Sequence, residues 1–425
     1  MSDIKLSGLS LIATLMAGTA FAETEITYWS FWNEPEPQAQ VLKALMDEYS
    51  AANPDVTFNV VWNGRQNQTT VRNALAGGTS IDLMDADMDG LNGGLVGQGA
   101  AIALDDLVAS DSPDGGTVGE AIYPALLANA ELNGSVGQLP YAFYTYQIFY
   151  NAAQMRDAGV SATPATWAEY MDAMKAVQAS GVNAIAVESD IAFYNINWFN
   201  YLLARIAGPD FVLKAAEDKT GETWRDPAVR QALELEAALW ADGLIPEESK
   251  GYQWPAGQQT LAFGETATEL VGSWLPIELA DQVDEGFEWG AMNFPMVEGG
   301  KGDVNDTIIY AVSFAIPDGA EDADAAQDFI RFALSKSAQQ KMADDALIGV
   351  ANASVEWADV ISDSREAVAN ATSLLSENLG LKVAYADYSS NIYEAMHNKV
   401  FLGQISIDEF VDGMVEQTKG YWENR

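Results

Sequence analysis

Cysteine is absent from this 425-residue chain, and histidine occurs once, as His397. Without cysteine there is no disulfide, no thiolate metal site and no cysteine nucleophile. A single histidine rules out metal sites built on two or three imidazoles, and also any chemistry needing more than one His-based proton transfer. Positive charge is scarce too: 21 Lys and Arg face 62 Asp and Glu, a formal net charge of −41. Such a surface repels nucleic acid and anionic lipid. Its reading is solubility, as in chains adapted to saline water. Most hydrolytic and redox chemistries are disfavoured, while an enzyme working through carboxylates alone, such as a glycosidase, passes this filter. What is present is ordinary for a globular chain, with 48% apolar, 10% aromatic and 20% charged residues. Disorder is excluded, and the length suits two domains or three.

Long apolar runs are confined to the N-terminus. Met1 to Ala22 carries Lys5, an apolar stretch from Leu6 to Phe21, and the small-x-small sequence Ala20-Phe21-Ala22 before Glu23. This is the pattern of a cleaved export signal; the alternative is a buried N-terminal helix. No cysteine follows, so a lipid-anchored form is excluded. No later stretch approaches the ~20 apolar residues of a membrane span. The mature chain is therefore expected to begin near Glu23 and to be soluble outside the cytoplasm.

The mature sequence opens with alternating strand and helix signals. Ile26–Trp29 reads as a strand. Val41, Leu42, Leu45, Met46 and Tyr49 share one helical face, and Asn53-Pro54-Asp55 ends that helix. Val56, Phe58, Val60 and Trp62 alternate as in a second strand. A helix around Val71 and Leu75 closes at Gly77-Gly78, and Ser80–Met84 reads as a third strand. This order predicts a parallel sheet with helices on both faces and a ligand beyond the carboxyl ends of its strands. The loops there are Ser30–Pro35, Asn63–Asn67 and Asp85–Asp89. Further on, Gln138–Asn151 is an aromatic-rich strand region. Thr166-Trp167-Ala168-Glu169 is a capping box, Asn183–Val187 a strand and Asp226-Pro227 a helix start. Strands at Thr268–Gly272 and Thr307–Phe314 and a helical stripe from Ala325 to Leu334 complete the pattern. No low-complexity linker divides the chain, so two units would be joined by several strand crossings.

These segments carry a family likeness. Glu25-Ile26-Thr27-Tyr28-Trp29, the stretch Leu42–Val56, and Ile81-Asp82-Leu83 with Gly97–Leu107 resemble the opening of extracellular solute-binding proteins of ABC transporters. The particular group is the sugar-binding one that includes maltose-binding protein. Phe149-Tyr150-Asn151 with Thr163–Glu169 resembles its "Y-N … P-x-T-W-x-E" signature. Phe263–Ala267 with Gly272-Ser273-Trp274 resembles its "F-x-x-G-x-x-A … G-x-W" signature. Five matches in the right order give the resemblance its weight. It implies an α/β fold of two lobes, the type II periplasmic-binding-protein arrangement. Each lobe would be a mostly parallel sheet flanked by helices, with the ligand in a cleft that closes by hinge motion. One lobe would hold 23–138 plus 268–333, the other 139–267 plus 334–425. It also implies a periplasmic monomer of a Gram-negative cell that passes a mono- or oligosaccharide to the permease subunits of an importer. No catalysis, cofactor, metal, nucleic acid or membrane insertion is expected.

A sugar site needs aromatic plates for C–H faces and planar polar groups for hydroxyls. Trp32, Asn33 and Glu34 follow the first strand in a turn marked by Pro35 and Pro37. Asn63 and Arg65 end the second strand, Arg65 equally suited to a surface ion pair. Asp85 and Asp87 end the third. The run Asp85-Ala86-Asp87-Met88-Asp89-Gly90 resembles the start of a calcium loop, but its twelfth position is Val96 and not Glu, so that reading fails. Tyr141 and Tyr144 sit where the chain would first cross between lobes, about half of the residues there being packing. Asn197 and Trp198 are placed by the resemblance in a polar-aromatic turn on the cleft wall. Trp254 lies in a loop with few apolar neighbours, Trp274 ends a strand, and Asp306 precedes the late one. Competing readings are a secreted glycosidase, which needs two carboxylates set across a cleft, and the same fold holding a quaternary amine in an aromatic cage or another polyol.

Overall fold

A computed structural model describes residues 24–425; the export signal at Met1–Ala22 lies outside the described residues. The chain opens as β1 (Thr24–Ser30), α1 (Pro37–Ala52), β2 (Val56–Trp62), α2 (Asn67–Ala76), β3 (Leu83–Asp87) and α3 (Met88–Gly93). Both β2 and β3 pair parallel to β1, as the alternating signals predict. The third strand starts three residues later than expected. Asp82 turns its carboxylate to the N–H groups of Thr27, Glu321 and Asp322 at 2.9–3.0 Å, so it staples the strand entry instead of extending it.

A 13-residue strand, β4 (Leu139–Asn151), follows; α4 (Trp167–Ala179), with its capping box, leads to β5 (Asn183–Ala186). Then come α5 (Ala192–Ala207), α6 (Pro227–Ala241), β6 (Thr266–Gly272), α7 (Leu275–Glu278), β7 (Trp289–Met292) and β8 (Thr307–Ala315). The strands join in the order β2-β1-β3-β8-β4-β6-β5. The outer pairs are parallel, and the central β8 and β4 run antiparallel to their neighbours. The chain ends with α8 (Ala323–Ala333), α9 (Lys336–Asp345), β9 (Gly349–Val350), β10 (Leu374–Leu375), α10 (Leu381–Ala384), α11 (Ala395–Phe401) and α12 (Ile407–Glu423).

Two large apolar cores divide the molecule into lobes. The first gathers Ile26, Leu42, Tyr141, Val312, Phe329, Ile348 and Trp357. The second gathers Tyr146, Trp167, Trp198, Leu270, Phe294, Tyr393 and Phe410. The chain passes from one core to the other at three strand positions: Tyr144 to Tyr146 in β4, Ile308 to Ile309 in β8, and Leu374 to Leu375 in β10. The multiple crossings expected from the missing linker are there. The division is not the one the resemblance implied. Leu270, Met292, Phe294 and Val297 pack in the second core and nearly all the buried apolar residues of 334–374 in the first, while Val271, Leu275 and Leu279 form a smaller cluster with Phe149 and Leu261. The reason is pairing: β6 and β7 hydrogen-bond the second half of β4, while β9 pairs with its first half.

Candidate ligand-binding site between the lobes

The three crossings leave a cavity of about 510 Å³ open to solvent between the lobes, within the ~300–1,000 Å³ usual for small-molecule sites. The first lobe supplies the loops after its three parallel strands: Phe31 and Trp32 after β1, Arg65 and Gln68 after β2, and Asp87 at the end of β3. These are the carboxyl ends at which such sheets hold ligands. The crossing strands add Tyr144, Tyr146 and Tyr310. The second lobe adds Phe193, Tyr194 and Asn197 from α5, Trp274 and Glu278 around α7, and Glu377, Asn378, Lys382, Ser390 and Glu394 from the C-terminal region.

Aromatic faces dominate the middle of the site. Ser273 N–H donates to Thr145 O at 2.9 Å, which brings the end of β6 back to the crossing. The Trp274 ring lies there edge-on to Tyr144 and Tyr146, with centroids 5.2 and 5.3 Å away. It also lies at 5.6 Å from Tyr194. A Cβ on Gly272 would sit 2.0 Å from this indole, so only glycine lets the ring fold over the strand end. The Trp274 indole N–H has no protein partner. Phe193 on the second lobe is 44% exposed, an unusual position for a large apolar side chain unless something covers it.

Charges sit at the two ends. Arg65 lies over the Phe31 ring at 4.4 Å, donates to Phe31 O at 3.2 Å and pairs with Glu36 at 2.9 Å. At the other end Lys382 joins the lobes, 2.6 Å from Asp87 and 2.5 Å from Glu377. The Glu377 N–H donates to Asp89 at 2.9 Å. Burial, with Asp87 and Glu377 close by, pushes the Asp89 carboxyl up to about 8. Burial likewise raises Glu278 and Glu394, each of which accepts from a neutral amide, Gln258 and Asn378 respectively. Among the described residues no group of His, Asp or Glu is arranged to hold a metal ion, and no helix is long and apolar enough to cross a membrane.

Of the residues singled out from sequence, Trp32, Arg65, Asp87, Tyr144, Asn197 and Trp274 border the cavity. The others do not. Asp85 and Tyr141 are buried behind the wall. The Tyr141 hydroxyl donates to Asp85 and accepts from the Trp32 indole N–H, and Asp85 also accepts from Phe31 N–H. They set the position of the loop after β1 and do not face a ligand. Asn33 and Glu34 point to solvent, held by Glu36 and Lys43, and Asn63 is tied to Asn67. Trp198 is core, because the stretch is a helix and not a turn, and its indole packs on Phe294. Asp306 is buried near Arg205, which donates to its carbonyl at 2.9 Å. Trp254 is 48% exposed outside the cavity, its N–H bound to Asp190. Sequence reasoning did not single out Phe31, Gln68, Tyr146, Phe193, Tyr194, Glu278, Tyr310, Glu377, Asn378, Lys382, Ser390 or Glu394. Helical spacing held one usable signal: Phe193 and Asn197, four apart, share a face.

Two lobes joined by three strand crossings thus hold an aromatic and polar cavity at their joint. Residues 33–340 match the family described as bacterial extracellular solute-binding protein, and the chain belongs to that family, whose members are binding proteins outside the cytoplasm. It is 23% identical over 328 residues to a lactose-binding protein of Rhizobium radiobacter, covering 75% of this chain and 72% of the relative. Among solved structures it is similar to the apo-form of RafE from Streptococcus pneumoniae, with a TM-score of 0.78, 16% identity, and 94% and 98% of the two chains covered. A chitin oligosaccharide binding protein gives a TM-score of 0.74 and 21% identity over 94% and 98%. At these identities the structural likeness concerns the fold.

Proposed function

We propose that the protein captures a sugar in the cavity between its lobes and delivers it, as a monomer in the periplasm of a Gram-negative cell, to the permease of an ABC importer. The observation that carries this reading is the lining itself: Trp274, Phe193 and Tyr194 offer aromatic surface, and Asn197, Gln68, Asn378 and the carboxylates offer planar hydrogen-bonding groups. The lactose-binding relative and the chitin-oligosaccharide-binding neighbour support a sugar. Because two lobes contribute, a ligand touching both favours the closed form by its differential contacts.

A thermal-shift panel of mono- and oligosaccharides, polyols and betaines tests this. A ligand at 100 times its Kd should add about 2.7 kcal/mol of stability. Stabilisation by a sugar supports the reading; stabilisation by betaines alone, with no sugar active, overturns it. The protein acts as a binder and not as a hydrolase. Incubation with the best oligosaccharide should therefore yield stoichiometric binding without new reducing ends, and sustained product release at substoichiometric protein would contradict it.

A further inference from the structure

One end of the cavity is also where the lobes are fastened. Asp87, at the end of β3 in the first lobe, meets Lys382 of α10 in the second at 2.6 Å, and Lys382 meets Glu377 at 2.5 Å. Glu377 follows the crossing at β10 closely. Its Oε1 accepts from the Tyr146 hydroxyl at 3.0 Å, and its N–H donates to Asp89 of α3 at 2.9 Å. Asp87 closes the ring by accepting from the Asp89 N–H at 3.0 Å. Asp87, Glu377 and Lys382 border the cavity, whereas Asp89 lies behind them, 4% exposed.

The charges in this seam do not balance. Three carboxyls, Asp87, Asp89 and Glu377, surround one ammonium. Lys382 pairs with Asp87 and Glu377, and among the described residues Asp89 is in no ion pair. Its Oδ1 is buried with no hydrogen-bond partner. The elements packed against α3 bring no second cation: their ionisable groups are Asp85 and Asp87 on β3, Tyr310 on β8 and Lys382 on α10. Asp85 is occupied by Tyr141 and the Phe31 N–H. A charge on Asp89 would therefore stand buried and unpaired beside two like charges, a state that a carboxyl avoids by keeping its proton. Burial first, then Asp87 and Glu377, raise the Asp89 carboxyl in keeping with this count.

We infer that Asp89 is a positioning residue of the binding site: in its protonated form it holds the backbone of Glu377, and through Glu377 and Lys382 it fixes the angle between the lobes, so that the grip on a sugar depends on pH. This rests on the cavity being the sugar site and extends that site to a group that does not border it. The sealed seam keeps the proton up to about pH 8, while a carboxyl opened to water releases it near ~3.9. The preference for the sealed form is present in full below pH ~4 and is lost as pH rises through about 8.

Asp89→Asn makes the neutral form permanent, because the amide oxygen still accepts from the Glu377 N–H. Wild type and variant are titrated calorimetrically at pH 5 and 8.5 with lactose and with the most stabilising sugar of the thermal-shift panel. Small-angle scattering of both without ligand accompanies the titrations. The affinity advantage of Asp89→Asn over wild type should be at least about tenfold larger at pH 8.5 than at pH 5, the equivalent of one pH unit of linked protonation. At pH 8.5 its ligand-free radius of gyration should be smaller than that of the wild type. A variant weaker by the same factor at both pH values, or one matching the wild type at pH 8.5 in either affinity or radius, would overturn the inference while leaving the sugar reading intact. A wild-type affinity that stays flat or rises over this range would do the same, and needs no variant. No binding by any sugar would overturn the sugar reading, and the scattering comparison then decides the role of Asp89 by itself.

Discussion

Asp85 and Trp274 show at the residue scale how similar positions relative to a strand end serve different ends. The Asp85 carboxyl is fully buried, and burial raises it to about 6 despite hydrogen bonds from Tyr141 and Phe31. The folded state therefore holds a proton that the unfolded chain, titrating near ~3.9, has already released. Stability from this residue is fully present below pH ~4 and lost as pH rises through about 6, an effect on the order of 3 kcal/mol. Urea unfolding of the wild type and Asp85→Asn from pH 4 to 7 should show this slope in the wild type and its absence in the variant. Parallel pH profiles would contradict the assignment. Trp274 instead meets the cavity and packs on three apolar clusters at once. Trp274→Ala should weaken sugar binding by about 2 kcal/mol or more and also lower the melting temperature. Unchanged affinity in the folded variant would remove Trp274 from the site.

Among the elements, α3 and α10 meet across the two lobes. A Cβ on Gly93 at the end of α3 would lie 2.6 Å from the Val383 carbonyl in α10. Gly93→Ala should therefore force the two helices apart at a cost of ~1–3 kcal/mol, seen as a lower melting temperature; no change would mean the seam is loose. The same two elements explain which parts were legible beforehand. Strands and helices with clear periodicity, such as β1, α1, β2 and the helix after Thr166, were readable because local pattern and burial agree. Trp32, Arg65 and Asp87 were readable because carboxyl ends of parallel strands converge. Glu377, Asn378 and Lys382 were not, because they come from an irregular segment with left-handed Asn378 and Leu379 (φ 51° and 52°), which has no sequence period. That segment is tied to the site by Lys382–Asp87 and Glu377–Asp89, contacts spanning almost 300 residues, and by Tyr146–Glu377 and Asn200–Asn378. Trp198 misled because a polar-aromatic stretch reads equally as a cleft turn or as a buried helix, and its apolar neighbours Phe199, Leu202 and Leu203 place it in the core.

For the whole molecule, the three crossings at β4, β8 and β10 give the lobes a shared axis, and residues on both sides of it border the cavity. A bound sugar should therefore draw the lobes together, seen as a smaller radius of gyration in solution scattering at saturation. An unchanged radius would speak for a rigid pair of lobes. The central claim is that the cavity between the lobes is the sugar site, and the most direct measurement is a crystallographic difference map of the protein with its tightest-binding sugar. Density for a pyranose ring should lie against Trp274 and Tyr194, within hydrogen-bonding reach of groups from both lobes. Ordered sugar density elsewhere on the molecule, with this cavity holding only solvent, would contradict the account.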